Sequence, residues 1–246
     1  LCCDFDGTLV PFTDDPTETQ LPEKRKDLLQ QLANLSEVHL AVISGRDFNQ
    51  LLKLVPIDKA ILAGNHGLKL RWENETIRKP EISQEIEPVI EQIHAQLKSK
   101  FRDRNGLILE DKGVGLTVHY RKHQGNTTKV KNDFYRIWKN HQIPQLEVIE
   151  GAKLLEIRPT SWNKGDTLKL IRDKLPEMPS IYIGDDTTDE DAFEILRHHE
   201  KSFPILVGDR NKENTKAKLY LSSPGEVIEL LSFIYSYYVY SMGSSL

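Results

Sequence analysis

Four apolar runs in this chain stop at residues able to do chemistry, and this recurrence limits the possible folds more than any other feature. Leu1-Cys2-Cys3 runs into Asp4 and Asp6, Val38–Ile43 into Ser44, Ala60–Ala63 into Asn65 and His66, and Ser180–Ile183 into Asp185, Asp186 and Asp189. Continuous apolar runs are the pattern of strands buried on both faces of a parallel sheet. Between the first three, apolar residues recur at helical spacing. Leu28, Leu29, Leu32 and Leu35 predict a helix over residues 23–35, and Phe48, Leu51, Leu52 and Val55 predict a second. Such alternation implies right-handed crossovers and a parallel sheet, whose ligands bind beyond the carboxyl ends of the strands. Ordinary solvated loops would not place polar clusters so regularly at those ends.

The alternation breaks near residue 70. Arg71–Glu75 reads as a hairpin-like edge. Ile86, Val89, Ile90, Ile93, Leu97 and Phe101 predict a long amphipathic helix, with Pro88 tolerable near its first turn. Short strands at 107–111 and 116–120, a helix through Val130–Trp138, and strands at 146–150 and 154–158 follow. From Lys164 the α/β pattern resumes, with strands at 180–183, 203–207 and 219–221 and a last helix from Pro224. The expected fold class is therefore α/β: a Rossmann-like core of residues 1–70 and 162–246 around a parallel sheet, with a small α+β domain inserted at 71–161. Thr13–Pro16 should be a polar loop and Ser241–Leu246 a frayed tail.

Composition excludes several classes of function. A hydrophobic content of 38% with 28% charged residues fits a soluble globular protein. No run approaches the roughly 18 apolar residues of a membrane span. The net charge of −4 gives no field that favours nucleic acid or a membrane surface, so neither is expected as a partner. Cys2 and Cys3 are adjacent and cannot build a disulfide framework, which fits a reducing, cytoplasmic compartment. The chain opens inside a strand, so a few residues before Leu1, or a longer parent chain, are expected.

Each cluster can be given a role. Asp4 and Asp6 sit one residue apart at a strand end, followed by the turn residues Gly7 and Thr8. Two like charges so close need a cation to stay ionised, and hard oxygen ligands suit Mg²⁺. One carboxylate can act as nucleophile and the other as general acid/base. Asp4, Asp6 and Asp185 are the expected metal ligands, with Asp186 and Asp189 in support. Asp189 reads equally well as a helix cap. Ser44 and Lys164 would hold phosphate oxygens. Arg46 reads as a phosphate or sugar ligand or as a loop-supporting ion pair, and His66 as a site residue or a structural one.

Asp4-Phe5-Asp6-Gly7-Thr8, Ser44, Lys164 and Gly184-Asp185-Asp186-x-x-Asp189 resemble, in order, the four motifs of the haloacid dehalogenase superfamily. The insertion between the second and third motifs is similar to that superfamily's C2-type caps, of the C2B kind. More narrowly, Ile43–Arg46, Gly64–Gly67, Val118–Arg121, Glu156–Pro159 and Ile183–Phe193 resemble the trehalose-6-phosphate phosphatase family. The resemblance implies hydrolysis of trehalose 6-phosphate with Mg²⁺ through an aspartyl-phosphate, Asp4 being the nucleophile and Asp6 the acid/base. It also implies sugar binding by Glu110, Lys112 and Glu156, with Arg46, Asn65, His66 and Arg158 as further substrate ligands. Without the resemblance, the cap residues read as a solvated sheet face and Arg158 as a rim ion pair. The alternatives are a related phosphatase acting on glucosylglycerol phosphate, sucrose phosphate or a mannosyl phosphate, and a non-catalytic phosphatase-like domain of a synthase fusion. The expected state is a monomer, or part of a synthase fusion or complex.

Overall fold

The computed structural model describes residues 1–13, 18–72, 86–151, 153–209 and 214–243. Asp14–Pro16 of the polar loop, Glu73–Glu75 of the edge hairpin and Ser244–Leu246 of the tail lie outside the described residues. The chain divides into two compact units, Leu1–Lys79 with Asn163–Leu246, and Pro80–Trp162.

In chain order the strands are β1 (Cys2–Cys3), β2 (Ala41–Ile43), β3 (Ile61–Gly64) and β4 (Lys69–Arg71), then β5 (Ile108–Asp111), β6 (Leu116–His119), β7 (Leu146–Gly151) and β8 (Leu154–Pro159), and finally β9 (Ser180–Gly184), β10 (Ser202–Val207) and β11 (Leu219–Leu221). The helices are α1 (Glu23–Asn34), α2 (Phe48–Leu54), α3 (Ile86–Phe101), α4 (Thr127–Lys139), α5 (Lys164–Lys174), α6 (Glu190–Arg197) and α7 (Pro224–Gly243). Pro88 falls in the first turn of α3, where its missing N–H costs no helical bond. The apolar run 38–43 enters the ladder only over Ala41–Ile43.

The first unit is a seven-stranded sheet ordered β11-β10-β9-β1-β2-β3-β4. Its pairings are parallel except that of β3 with β4, which is antiparallel and forms one edge. The chain builds outward from β1 in one direction through β2 and β3, and returns at β9 on the other side. Strand order therefore reverses between β1 and β9, where an open α/β sheet keeps its binding crevice.

Register decides which side chains face which helices. Cys2 pairs with Ala41, and Cys3 with Val42. Cys3, Val42, Leu62 and Ile183 pack on one face against α1 and α7, while Cys2, Ala41, Ile61 and Tyr182 pack on the other against α5 and α6. With a side-chain period of two, the next position after Cys2 on the α5 face is Asp4.

The second unit is a four-stranded antiparallel sheet ordered β5-β6-β8-β7. Leu116, Val118, Leu155 and Ile157 face α3 and α4 and form its core with Ile90, Ile93, Val130 and Phe134. The alternate residues Thr117 and Glu156 therefore lie on the opposite face.

Candidate active site

Asp4 follows β1 directly, is 5% exposed, and lies 2.9 Å from the Lys164 ammonium at the start of α5. Asn163 caps α5 in a reciprocal box with Asp166, which fixes the first turn of that helix and so the base of the Lys164 side chain. Lys164 also reaches Asp189 at 2.8 Å. Burial alone would lower the Lys164 pKa, but Asp189 and Asp4 overcome it and keep the group charged.

Asp189 is wholly buried and held on both oxygens. Oδ1 accepts from Lys164 Nζ and from the Tyr182 hydroxyl at 2.7 Å, and Oδ2 accepts from the backbone N–H groups of Asp185 and Asp186. Asp189 thus ties together α5, β9 and the loop after β9. Asp186 is exposed and caps the short turn at Thr187–Asp189. Asp185 accepts from the Thr8 hydroxyl at 3.0 Å. Gly7 has φ +77°, and a Cβ there would stand 2.3 Å from Asp185 Oδ2, so glycine alone allows the first loop to approach this carboxylate.

The structure departs from the sequence reading at Asp6. β1 ends at Cys3, and the chain then bends, with Gly7 N–H donating to the Val10 carbonyl. Strand alternation therefore does not carry through to Asp6. Its carboxylate is gripped by Arg46, at 2.6 Å from Nε and 2.7 Å from the terminal nitrogen, which also donates to Thr19. Asp6 is not in the carboxylate cluster, which consists of Asp4, Asp185 and Asp189 within 4.8 Å of one another.

Burial drives the Asp4 carboxyl up to about 7 against the pull of Lys164, with Asp189 and Asp6 adding repulsion. Burial, followed by Asp4 and Asp189, pushes Asp185 up to about 9. Three carboxylates face a single ammonium, so the ionised cluster keeps an excess of negative charge. An oxygen-only, over-charged donor set is what a hard divalent cation takes. The residues fit such an ion, with one oxygen of each carboxylate within 4.8 Å of the others and Asp189 held by its four donors.

Ser44 is 1% exposed and accepts from the Arg46 N–H through its Oγ. Asn65 and His66, both in left-handed backbone at φ 54° and 55°, pack against this loop. Asn65 Oδ1 accepts from Phe48 N–H at the start of α2, and His66 N–H donates to the Ser44 carbonyl. Two successive left-handed non-glycine residues are unfavourable and persist only where the surroundings enforce them.

In the second unit, Glu110, Thr117 and Glu156 are direct cross-strand neighbours on β5, β6 and β8. Lys112 pairs with Glu156 at 2.6 Å, and His119 with Glu110 at 2.8 Å. Burial would raise Glu110, but His119 and Lys112 hold it below the usual carboxylate range. Arg158 pairs across strands with Glu147 at 2.8 Å.

The sequence marked Thr8 only as a turn residue and gave Thr19, Tyr182 and His119 no individual role. A buried Tyr hydroxyl needs a partner, so Tyr182 carried a signal that its apolar strand concealed. Thr19 carried none, because its contact with Arg46 spans 27 residues.

The family model described as trehalose-phosphatase matches residues 2–225. A trehalose-phosphate phosphatase of Mycobacterium tuberculosis is 33% identical over 232 residues, covering 92% of this chain but only 58% of that protein's length. Among solved structures, the C-terminal domain of the Candida albicans trehalose-6-phosphate phosphatase superposes with a TM-score of 0.82 at 25% identity, covering 96% of this chain and 91% of that one. A haloacid dehalogenase-like hydrolase from Bacteroides thetaiotaomicron has a TM-score of 0.65 at 14% identity, with 95% of this chain and 98% of that one covered, a likeness that bears on the fold alone.

Proposed function

The chain belongs to the trehalose-phosphatase family, and on that premise we propose that it hydrolyses trehalose 6-phosphate to trehalose and phosphate. One observation carries the mechanism: Asp4, Asp185 and Asp189 converge with Lys164 at the point where strand order reverses. A scaffold that had lost its chemistry would have no reason to keep three buried ionisable groups and a half-buried fourth in one cluster.

Asp4 attacks phosphorus and forms an aspartyl-phosphate as the bond from phosphorus to the sugar oxygen breaks. Asp6 gives its proton to the departing sugar oxygen, and then takes one from the water that cleaves the aspartyl-phosphate. Arg46 fixes the Asp6 carboxylate between these events, and each Asp6 oxygen keeps a second lone pair at which a proton can sit. Lys164 offsets the charge of Asp4 and, with Ser44, holds phosphate oxygens. Asp4 and Asp185 would hold a divalent cation, which we take to be Mg²⁺, and the ion would neutralise carboxylate and phosphate charge. Asp186 and Asp189 set the loop after β9.

Residues 71–161 serve as the sugar-reading cap and the rest as the hydrolase core. Glu110, Lys112 and Glu156 supply the acceptors and donor that sugar hydroxyls take, while Asn65 and His66 shape the loop that carries Ser44 and Arg46. Arg158, paired with Glu147, borders this row. The two buried free cysteines fit a reducing, cytoplasmic setting. Among the described residues, no helix is long and apolar enough to cross a membrane.

The test is phosphate release from a panel of sugar phosphates, with Mg²⁺ and with a chelator. Preference for trehalose 6-phosphate that vanishes on chelation is the expected result. Preference for another glycosyl phosphate would keep the chemistry and replace the sugar, and release from none would overturn the reading.

A further inference from the structure

The row Glu110–Thr117–Glu156 contains a buried polar atom that the second unit does not use. Thr117 is 1% exposed, and its Oγ1 has no hydrogen-bond partner among the described residues. Its neighbours on either side are committed: Glu110 to His119, and Glu156 to Lys112. A buried hydroxyl without a partner destabilises a fold, and valine would fill the same volume on the same strand without that cost. The sheet thus carries a polar atom that its own packing does not need, midway between two carboxylates on one face.

We propose that Thr117 is a specificity-determining residue whose hydroxyl bonds a sugar hydroxyl seated on this row, an inference that rests on the sugar-phosphatase reading above. The chemistry of the row supports the assignment. Glu110 and Glu156 only accept when ionised and Lys112 only donates, whereas a threonine hydroxyl does both, as a sugar hydroxyl does. Thr117 therefore completes the row for a ligand whose hydroxyls must each donate and accept.

The experiment compares wild type, Thr117→Val and Thr117→Ser on trehalose 6-phosphate and on p-nitrophenyl phosphate, and follows thermal unfolding of all three. Thr117→Val should raise the ratio of KM for trehalose 6-phosphate to KM for p-nitrophenyl phosphate about fivefold, the worth of one neutral hydrogen bond. It should unfold at the same temperature as wild type or higher, and Thr117→Ser should restore the ratio. An unchanged ratio in Thr117→Val, or a ratio that Thr117→Ser does not restore, overturns the assignment. Wild type separates this failure from that of the underlying reading. If wild type prefers another glycosyl phosphate, the trehalose reading fails and the same ratio on that substrate decides the role of Thr117. If wild type hydrolyses no sugar phosphate, both fall.

Discussion

Replacing Tyr182 with phenylalanine removes one atom from the floor of the catalytic cluster and leaves the packing intact. The ring is fully buried and makes an edge contact with Phe193 at 5.8 Å between centroids, which phenylalanine keeps. What is lost is the 2.7 Å bond from the hydroxyl to Asp189 Oδ1. Hydrogen bonds to charged groups contribute about 1.5–3 kcal/mol, and Asp189 is fully buried, so the expected loss is about 2 kcal/mol. For a chain of this size that corresponds to a fall of about 4–8 °C in Tm. Urea unfolding with Mg²⁺ present measures the change, and a double-mutant cycle with Asp189→Asn isolates the bond. In the Asp189→Asn background the same substitution should cost about half as much, because the acceptor is then neutral. A loss below about 0.5 kcal/mol in both backgrounds would refute the argument that Asp189 is held by its donors.

Three further outcomes are expected. Asp4 and Asp185 rise from 3.8 to about 7 and about 9 on folding, so the folded chain binds more protons than the unfolded one across that window, and metal-free protein loses stability as pH rises through it; Tm of chelated protein measured from acid to alkaline pH should fall, and Mg²⁺ should restore more at the alkaline end. Arg46→Lys keeps the charge but loses the two-pronged grip on Asp6, so kcat should drop about 10- to 100-fold with little change in Tm; steady-state kinetics and a melting curve check both parts. Gly7→Ala forces a Cβ to within 2.3 Å of Asp185 Oδ2 in left-handed backbone, and should cost about 2–4 kcal/mol and weaken divalent-ion affinity, measured by unfolding and calorimetric titration.

The parts of this molecule legible in its sequence are those written in local periodicity. The apolar runs placed the strands, and the polar residues that ended them placed Asp4, Ser44, Asn65 and Asp185 at the carboxyl ends of the strands of one sheet. Lys164 was legible because it opens a helix. Contacts that depend on long-range geometry were not. Asp6 was expected to share a volume with Asp4, but the strand stops at Cys3 and an arginine 40 residues away takes both its oxygens. Asp189 read equally well as a helix cap, and in the fold it is a buried anchor for Lys164, Tyr182 and two backbone N–H groups. Nothing in the sequence singled out Thr117: it is the pairing of β5, β6 and β8 that puts it between Glu110 and Glu156, and its hydroxyl finds no partner among the described residues.

The account stands or falls on Asp4 as the nucleophile. The direct measurement is rapid mixing of the protein and Mg²⁺ with trehalose 6-phosphate, an acid quench, and mass spectrometry of the peptide that carries Asp4. A transient phosphate on Asp4 that disappears as free phosphate accumulates, and that is absent from Asp4→Asn along with turnover, is the predicted result. Normal turnover by Asp4→Asn, or phosphate trapped on a different residue, would contradict it.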